Sequence, residues 1–416
     1  MKILTLNAGS SSLKYKLFDG DNFNGDGVTT LAEGNFEKIW QKDSFLTHKV
    51  LNGEKQTLKE YLADHRAALT KVLNILTDPE HGVLKSLNEI DAIGHRVVHG
   101  GETFKASTLI TQEVKDKIRE MISLAPLHNP ANLTCIEECE DLLPGIPNVA
   151  VFDTAFHQTI EEEHFYYPVD TEYYEKDGKR RYGFHGSSHR YVSQKACQIL
   201  NLDYEQTNII SCHIGNGGSV TGILNGASKM TSMGTPAGGV IMGTRTWDMD
   251  AGALMNIMRT EKFDIDPTDT VMKQLDAIMN HMDTIVNKKS GIKGLSGGKT
   301  SDLRDVIAGY EAGQQRAIRA MKMYVNSILG YIAKYAILME RVDVIVMTAG
   351  VLERSPLVRR LIMEKLGILG IQLDETKNSF SEGGGIISTP ESEVTVIVVP
   401  TDEEKMIAQD TYNLTQ

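Results

Sequence analysis

Short apolar runs alternate with longer helical patterns along most of this chain. Residues 2–6 form an apolar run, and residues 13–18 alternate, with Leu13, Tyr15 and Leu17 on one side. Between them stands the turn Asn7-Ala8-Gly9-Ser10-Ser11-Ser12, so the opening predicts a β-hairpin. Residues 20–60 are polar and glycine-spotted, which predicts a meander with an irregular excursion. Helical periodicity follows at 61–75, 112–123 and 131–142, with buried strands at 90–98 and 148–152. The first of these strands carries His95, Arg96 and His99 toward its end, and the second delivers Asp153. Strands that alternate with helices predict an α/β fold whose ligands gather at strand ends.

A second series begins after a charged, aromatic stretch at 161–181. The apolar run 208–213 enters Gly215-Asn216-Gly217-Gly218-Ser219, and a strand resumes at 220–224. This repeats the opening pattern, and two such hairpins predict an internal duplication. Helices are expected at 253–258, 269–286 and 317–340, the last apolar enough to be central or at an interface. Residues 291–305 read as a glycine-rich loop. A strand at 343–347 opens onto Thr348-Ala349-Gly350, and one at 394–399 leads to Pro400-Thr401-Asp402-Glu403-Glu404, where Thr401 or Asp402 can cap the last helix.

At 416 residues the chain exceeds one ordinary core, so two domains are expected. We place them at 1–153 with about 393–416, and at 154–392. A net charge of −12 argues against nucleic acid or an anionic membrane as partner, since both need clustered Lys and Arg. No signal-peptide pattern and no apolar run of membrane-spanning length occur, so a cytoplasmic location is expected. The four cysteines lack metal-type spacing, and Cys135 and Cys139 read as packing residues on a helix. Asn-Leu-Thr sequons at Asn132 and Asn413 mean little without secretion.

The chemistry concentrates in the turns. Small side chains, hydroxyls and Lys14 suit a phosphate in the opening hairpin, but a plain Ser/Gly turn fits these residues equally well. Gly297-Gly298-Lys299-Thr300 looks like the end of a Walker A motif, yet the upstream glycine and the preceding buried strand are missing. A strand-end arginine such as Arg96 is as readily a structural ion pair as a catalytic group. His95, His99, His157 and His189 read as structural histidines, Trp247 as packing, and Glu404 as a solvated helix residue.

Ordered motifs then decide the reading. They are Asn7-Ala8-Gly9-Ser10-Ser11-Ser12-Leu13-Lys14, Gly94-His95-Arg96-Val97-Val98-His99-Gly100-Gly101, Pro126-Leu127-His128-Asn129-Pro130, Phe152-Asp153-Thr154-Ala155-Phe156-His157, Tyr182-Gly183-Phe184-His185-Gly186, His213-Ile214-Gly215-Asn216-Gly217 and Pro400-Thr401-Asp402-Glu403-Glu404. Over nearly its whole length the chain resembles the acetate kinase family, in the acetate and sugar kinase/Hsp70/actin superfamily. The resemblance implies two domains of duplicated actin/Hsp70-like, ribonuclease H-like topology with an active-site cleft between them, and a homodimer formed through the second domain. It implies reversible phosphoryl transfer between ATP and acetate, a carboxyl-group acceptor, giving acetyl phosphate and ADP, with Mg2+ (or Mn2+).

By this resemblance Arg96, Asp153, His185, Arg245 and His128 are catalytic. Arg96 also binds the substrate carboxylate, beside an apolar methyl pocket of Val98, Leu127, Phe184 and Pro236. Acetate is already ionised and needs no general base, so Asp153 is expected to orient Arg96 or metal-bound water. Metal positions correspond to Asn7 and Glu403, hard oxygen ligands. Nucleotide and phosphate positions correspond to Ser12, Lys14, His213, Ile214, Gly215, Asn216, Gly217, Asp302, Leu303, Arg304, Gly350, Val351, Leu352, Glu353 and Arg354.

Two stretches depart from the family pattern. Met230-Thr231-Ser232-Met233-Gly234-Thr235-Pro236-Ala237-Gly238-Gly239 lacks one residue and two acids that relatives carry, and Thr246-Trp247 replaces a small pair. Ala349-Gly350-Val351-Leu352-Glu353-Arg354 has Leu352 where the family has glycine and Arg354 where it has asparagine. Leu352 is therefore expected to narrow the adenosine pocket, and Arg354 to add a phosphate contact. ATP is the expected donor; another nucleotide, pyrophosphate, or propionate as acceptor stays open. A non-catalytic nucleotide-binding module is disfavoured by the retained Arg96, Asp153, His185 and Arg245.

Overall fold

The computed structural model describes residues 1–9, 11–25, 27–126 and 128–416. They form two compact units: Met1–Gln158 with Gly186–Tyr191 and Asp402–Gln416, and Thr159–His185 with Val192–Thr401. The chain is mixed α/β, with one sheet in each unit.

The first unit contains strands β1 (Lys2–Ala8), β2 (Ser12–Asp19), β3 (Thr29–Glu37), β4 (Phe45–Val50), β5 (Gln56–Lys59), β6 (Ala92–Val97), β7 (Thr108–Leu109) and β8 (Asn148–Phe152). They lie in the order β5-β4-β3-β2-β1-β6-β8-β7. The meander supplies antiparallel ladders on one side of β1, whereas β6 and β8 join parallel on the other. β1 is buried on both faces. Leu4, Leu6 and Ala8 pack with Leu69, Val72 and Leu76 of the helix His65–Leu76 and with Cys135 and Cys139 of the helix Asn129–Leu142. Ile3 meets Ala408 of the last helix, Glu403–Thr415, on the opposite face. Gly94 explains how that helix comes so close: a Cβ there would stand 2.4 Å from Thr411 Oγ1 and 2.6 Å from Ile407 Cγ2.

The second unit contains β9 (Ile209–Ile214), β10 (Gly218–Leu224), β11 (Ala227–Thr231), β12 (Val344–Thr348), β13 (Gly385–Ile386) and β14 (Thr395–Val398), in the order β11-β10-β9-β12-β14-β13. Its core sets Ile210, Cys212, Ile345 and Val396 against Met321, Tyr324, Ile328 and Ile332 of the long helix Gln315–Leu338. β3-β2-β1-β6-β8 and β11-β10-β9-β12-β14 share one order and one antiparallel/parallel pattern, which is the duplication expected from the two hairpins. The expected loop at 291–305 contains a helical turn, Gly291–Leu295, that starts after Ser290. The strand expected with the first domain after residue 393 pairs instead with β12, because its apolar face completes the second core.

Candidate active site

In the first unit, the ends of three neighbouring parallel strands carry Asn7, Arg96 and Asp153. Arg96 Nε and Nη2 donate to the two carboxylate oxygens of Asp153 at 2.9 and 2.6 Å, a bidentate pair, and Nη1 donates to Asn7 Oδ1 at 3.0 Å. Asp153 is 1% exposed and its N–H donates to Val97 O, so it is fixed by the sheet. Burial works against the charge on Arg96, and Asp153 outweighs it, so the guanidinium is held charged. Further N–H groups of its terminal nitrogens remain for a ligand.

The close crossing at Gly94 brings the start of the helix Glu403–Thr415 to the same place. Glu403 Oε2 lies 4.0 Å from Arg96 Nε. Burial pushes the Glu403 carboxyl up to about 7, with Asp153 and Glu404 adding to the rise and Arg96 and Lys14 opposing it. Glu404 is not the solvated residue expected: it is 1% exposed, and its carboxylate pairs with Lys14 at 2.7 Å and lies 3.8 Å from Lys16. Asp402 caps the helix through Lys405 N and holds Lys16 at 2.8 Å. This set of amide and carboxylate oxygens, with one carboxyl short of positive charge, fits a hard divalent cation at Asn7 and Glu403.

Two asparagines that sequence reading passed over hold the strand ends. Asn132 donates to Ala8 O and accepts from Val98 N, at 2.7 and 3.0 Å. Asn129 accepts from His99 N and donates to His99 O. The Asn132 sequon is thus a buried strut, and only its place on a helix facing two strands could have marked it. Val98 is buried, His128 stands at the N-cap of the helix Asn129–Leu142, and Leu127 lies outside the described residues. Ser12 opens β2, where its carbonyl accepts from Gly9 N, and Lys14 follows on the same strand.

In the second unit, His185 adopts a left-handed backbone (φ 57°) at the N-cap of the helix Gly186–Leu200. Its Nδ1 lies 2.8 Å from Ser219 Oγ, and its ring stacks on His213 at 4.1 Å. Gly217 keeps the way clear: a Cβ there would stand 3.2 Å from His185 Nε2 and 4.0 Å from Arg245 Nη2. Arg245 donates to Pro236 O at 3.1 Å, and no carboxylate of this unit's described residues pairs with it. Burial accordingly pulls its pKa down, as expected of a guanidinium awaiting an anion. Phe184 is buried beside these residues in sequence.

A pocket of about 880 Å³ opens within the same unit. Gly215, Asn216, Asp302, Leu303, Arg304, Gly350, Val351 and Arg354 line it, together with Gly243, Ser355 and Arg360, which the motifs did not mark. Leu352 does not narrow this space: it is fully buried in the second core. Ile214 is likewise core, while Glu353 accepts from Ala349 N and Thr401 N and so caps its own helix. His213 and Gly217 stand at the His185 side, apart from the pocket lining.

The acetokinase family pattern matches residues 2–409. The acetate kinase of Parabacteroides distasonis is 47% identical over 416 residues, covering all of this chain and 99% of that protein. The crystal structure of Porphyromonas gingivalis acetate kinase is 46% identical and superposes with a TM-score of 0.89 over the full length of both chains. A propionate kinase from Francisella tularensis is 36% identical, with a TM-score of 0.86 over 99% of each chain. With the strand-end arginine, the duplicated hairpins and these full-length matches in hand, the chain belongs to the acetokinase family.

Proposed function

We propose that this chain is a kinase of small carboxylates that transfers the γ-phosphoryl group of ATP to acetate and runs the reverse reaction from acetyl phosphate and ADP. The observation that carries this reading is Arg96, locked by Asp153 in two hydrogen bonds yet still holding free N–H groups. A planar fork fixed in this way suits a carboxylate or a phosphoryl oxygen, and pure nucleotide binding has no need of it. A carboxylate oxygen of acetate forms its bond to the γ-phosphorus as the bond to the bridging oxygen of ADP breaks. No proton moves, so no base is required, and the protein's part is positioning and charge. Arg96 holds the acetate and Asp153 orients it. Arg245, His185 and His128 stabilise the equatorial oxygens of the transferring group, and Ser12 and Lys14 hold phosphates. Asn7 and Glu403 would hold Mg2+, which when bound would neutralise charge on the polyphosphate.

The nucleotide is assigned to the pocket lined by Asn216, Arg304, Gly350 and Arg354. The buried Val98 and Phe184 support a methyl-sized acyl site, with propionate as a slower acceptor. The exposed Val271, Met272, Leu275 and Met279 on the helix Val271–Lys288 support a homodimer formed through the second unit. Four free cysteines support a cytoplasmic location, and no helix of the described residues is long and apolar enough to cross a membrane. The test is acetyl phosphate formation, trapped as hydroxamate, with ATP, GTP and pyrophosphate in parallel. ATP should give the fastest product formation. Absence of product with every donor defeats the enzyme reading, and product from pyrophosphate alone reassigns the donor.

A further inference from the structure

The helix Asn129–Leu142 sets Cys135 and Cys139 four residues apart, so both thiols stand on one face, turned into the first core. His95, on β6, comes to meet them. The two sulfurs and a ring nitrogen of His95 all lie within 4.8 Å of one another, and all three residues are buried. Ligands of a tetrahedral zinc ion stand about 3.6 to 3.8 Å apart, so these donors need to close by no more than about 1.2 Å.

The imidazole is already oriented for ligation. His95 Nε2 hydrogen bonds to Asn148 Oδ1 at 2.7 Å, and the Asn148 amide is itself oriented by Nδ2 donating to Ile146 O at 2.9 Å. An amide oxygen only accepts, so Nε2 carries the proton and Nδ1 keeps its lone pair for an ion.

We propose that Cys135, Cys139 and His95 form a buried site for one divalent, thiophilic cation of the zinc type, separate from the oxygen ligands Asn7 and Glu403. Charge selects the ion's valence. Binding releases both thiol protons to solvent, and two thiolates, a neutral imidazole and a divalent cation sum to zero, which suits a buried place in the core. Donor type selects its softness, since sulfur and imidazole favour zinc or cadmium over magnesium or calcium. The ion ties the helix to β6 one position before Arg96. The same helix carries Asn129 and Asn132, which hold the ends of β1 and β6. Occupancy therefore stiffens the frame of the acyl side without touching the substrate.

The test is cadmium loading of the full chain, reduced with a non-thiol phosphine, both by titration of the native protein and by refolding from urea with cadmium present. One cadmium per chain should survive desalting and show thiolate-to-cadmium ultraviolet absorption, in the presence of excess magnesium. The Cys197→Ser/Cys212→Ser variant should behave identically. The Cys135→Ser/Cys139→Ser variant should show neither retention nor absorption, its fold being checked by circular dichroism. His95→Gln, which spares both thiols, should weaken retention by at least about tenfold and supplies the test should the serine variant not fold. No absorption by either loading route overturns the proposal. So does absorption that persists in Cys135→Ser/Cys139→Ser or vanishes in Cys197→Ser/Cys212→Ser.

Discussion

At the scale of single residues, Arg96 and His99 stand three positions apart and use burial in opposite ways. Arg96 keeps its charge because Asp153 overcomes the penalty of burial. Lysine in its place supplies a point charge that cannot span both Asp153 oxygens and Asn7 together. Arg96→Lys should lower kcat/KM for acetate by roughly 100-fold or more in the hydroxamate assay, with little loss of thermal stability. An effect under about threefold would remove Arg96 from the reaction. His99 is instead held neutral by burial, which lowers its pKa from 6.5 to about 4. Its Nδ1 accepts the Gly101 N–H at 3.0 Å, which requires the unprotonated ring. The unfolded chain therefore binds the proton more readily, and stability falls as pH drops from about 6.5 toward 4. Between pH 7.5 and 5 this one group should remove about 2 kcal/mol. Urea unfolding at the two pH values should show that loss in the parent and a loss smaller by this amount in His99→Gln; equal losses would exclude His99 as the source.

The short helix Ala349–Arg354 shows where sequence reading stops. Its motif alone marks Leu352 and Arg354 as equivalent departures in a nucleotide loop. A helical turn separates them: residues two apart point to different sides, so one enters the core and the other lines the pocket. No spacing rule reveals which, because the helix's rotation is set by a residue outside the motif. Arg359, fully buried in the next helix Pro356–Met363, donates to Leu352 O, Glu353 O, Asn378 O and Oδ1, and Phe380 O. Leu352→Ala should therefore cost about 2 to 5 kcal/mol of stability while leaving the KM for ATP within about twofold. Arg354→Ala should do the reverse, raising the KM for ATP about tenfold with no more than about 0.5 kcal/mol lost. Denaturant unfolding and initial-rate kinetics on both variants check the pair, and a nucleotide defect in Leu352→Ala would return that residue to the pocket.

For the whole molecule, the duplication was legible because two hairpins repeat apolar strand, Asn/Gly/Ser turn and strand, and the five-strand order then repeats in both sheets. The pairing of β14 with β12 was not legible, since a buried parallel strand looks alike wherever it docks. Nor were Glu404 and Asn132, whose burial depends on a helix seated close over Gly94 and on a helix facing two strand ends. The duplicated sheets have diverged in what they offer. At the strand ends of the first stand Asn7, Arg96 and Asp153, with Glu403 at the start of the last helix beside them, the set we propose for carboxylate, metal and phosphoryl oxygen. The second ends in glycines around a pocket large enough for a nucleoside, lined wholly by its own residues. This division makes a prediction about where ligands act. AMP, which carries no β- or γ-phosphate, should slow amide hydrogen exchange in segments 301–311 and 349–360 and leave 2–19 and 92–99 unchanged. Acetyl phosphate without nucleotide should protect 92–99 and leave 349–360 unchanged. Exchange followed by mass spectrometry resolves these segments, because binding raises the free energy of local opening wherever the ligand is held. Protection of residues 2–19 by AMP would place the nucleoside on the first unit and overturn the assignment of the 880 Å³ pocket.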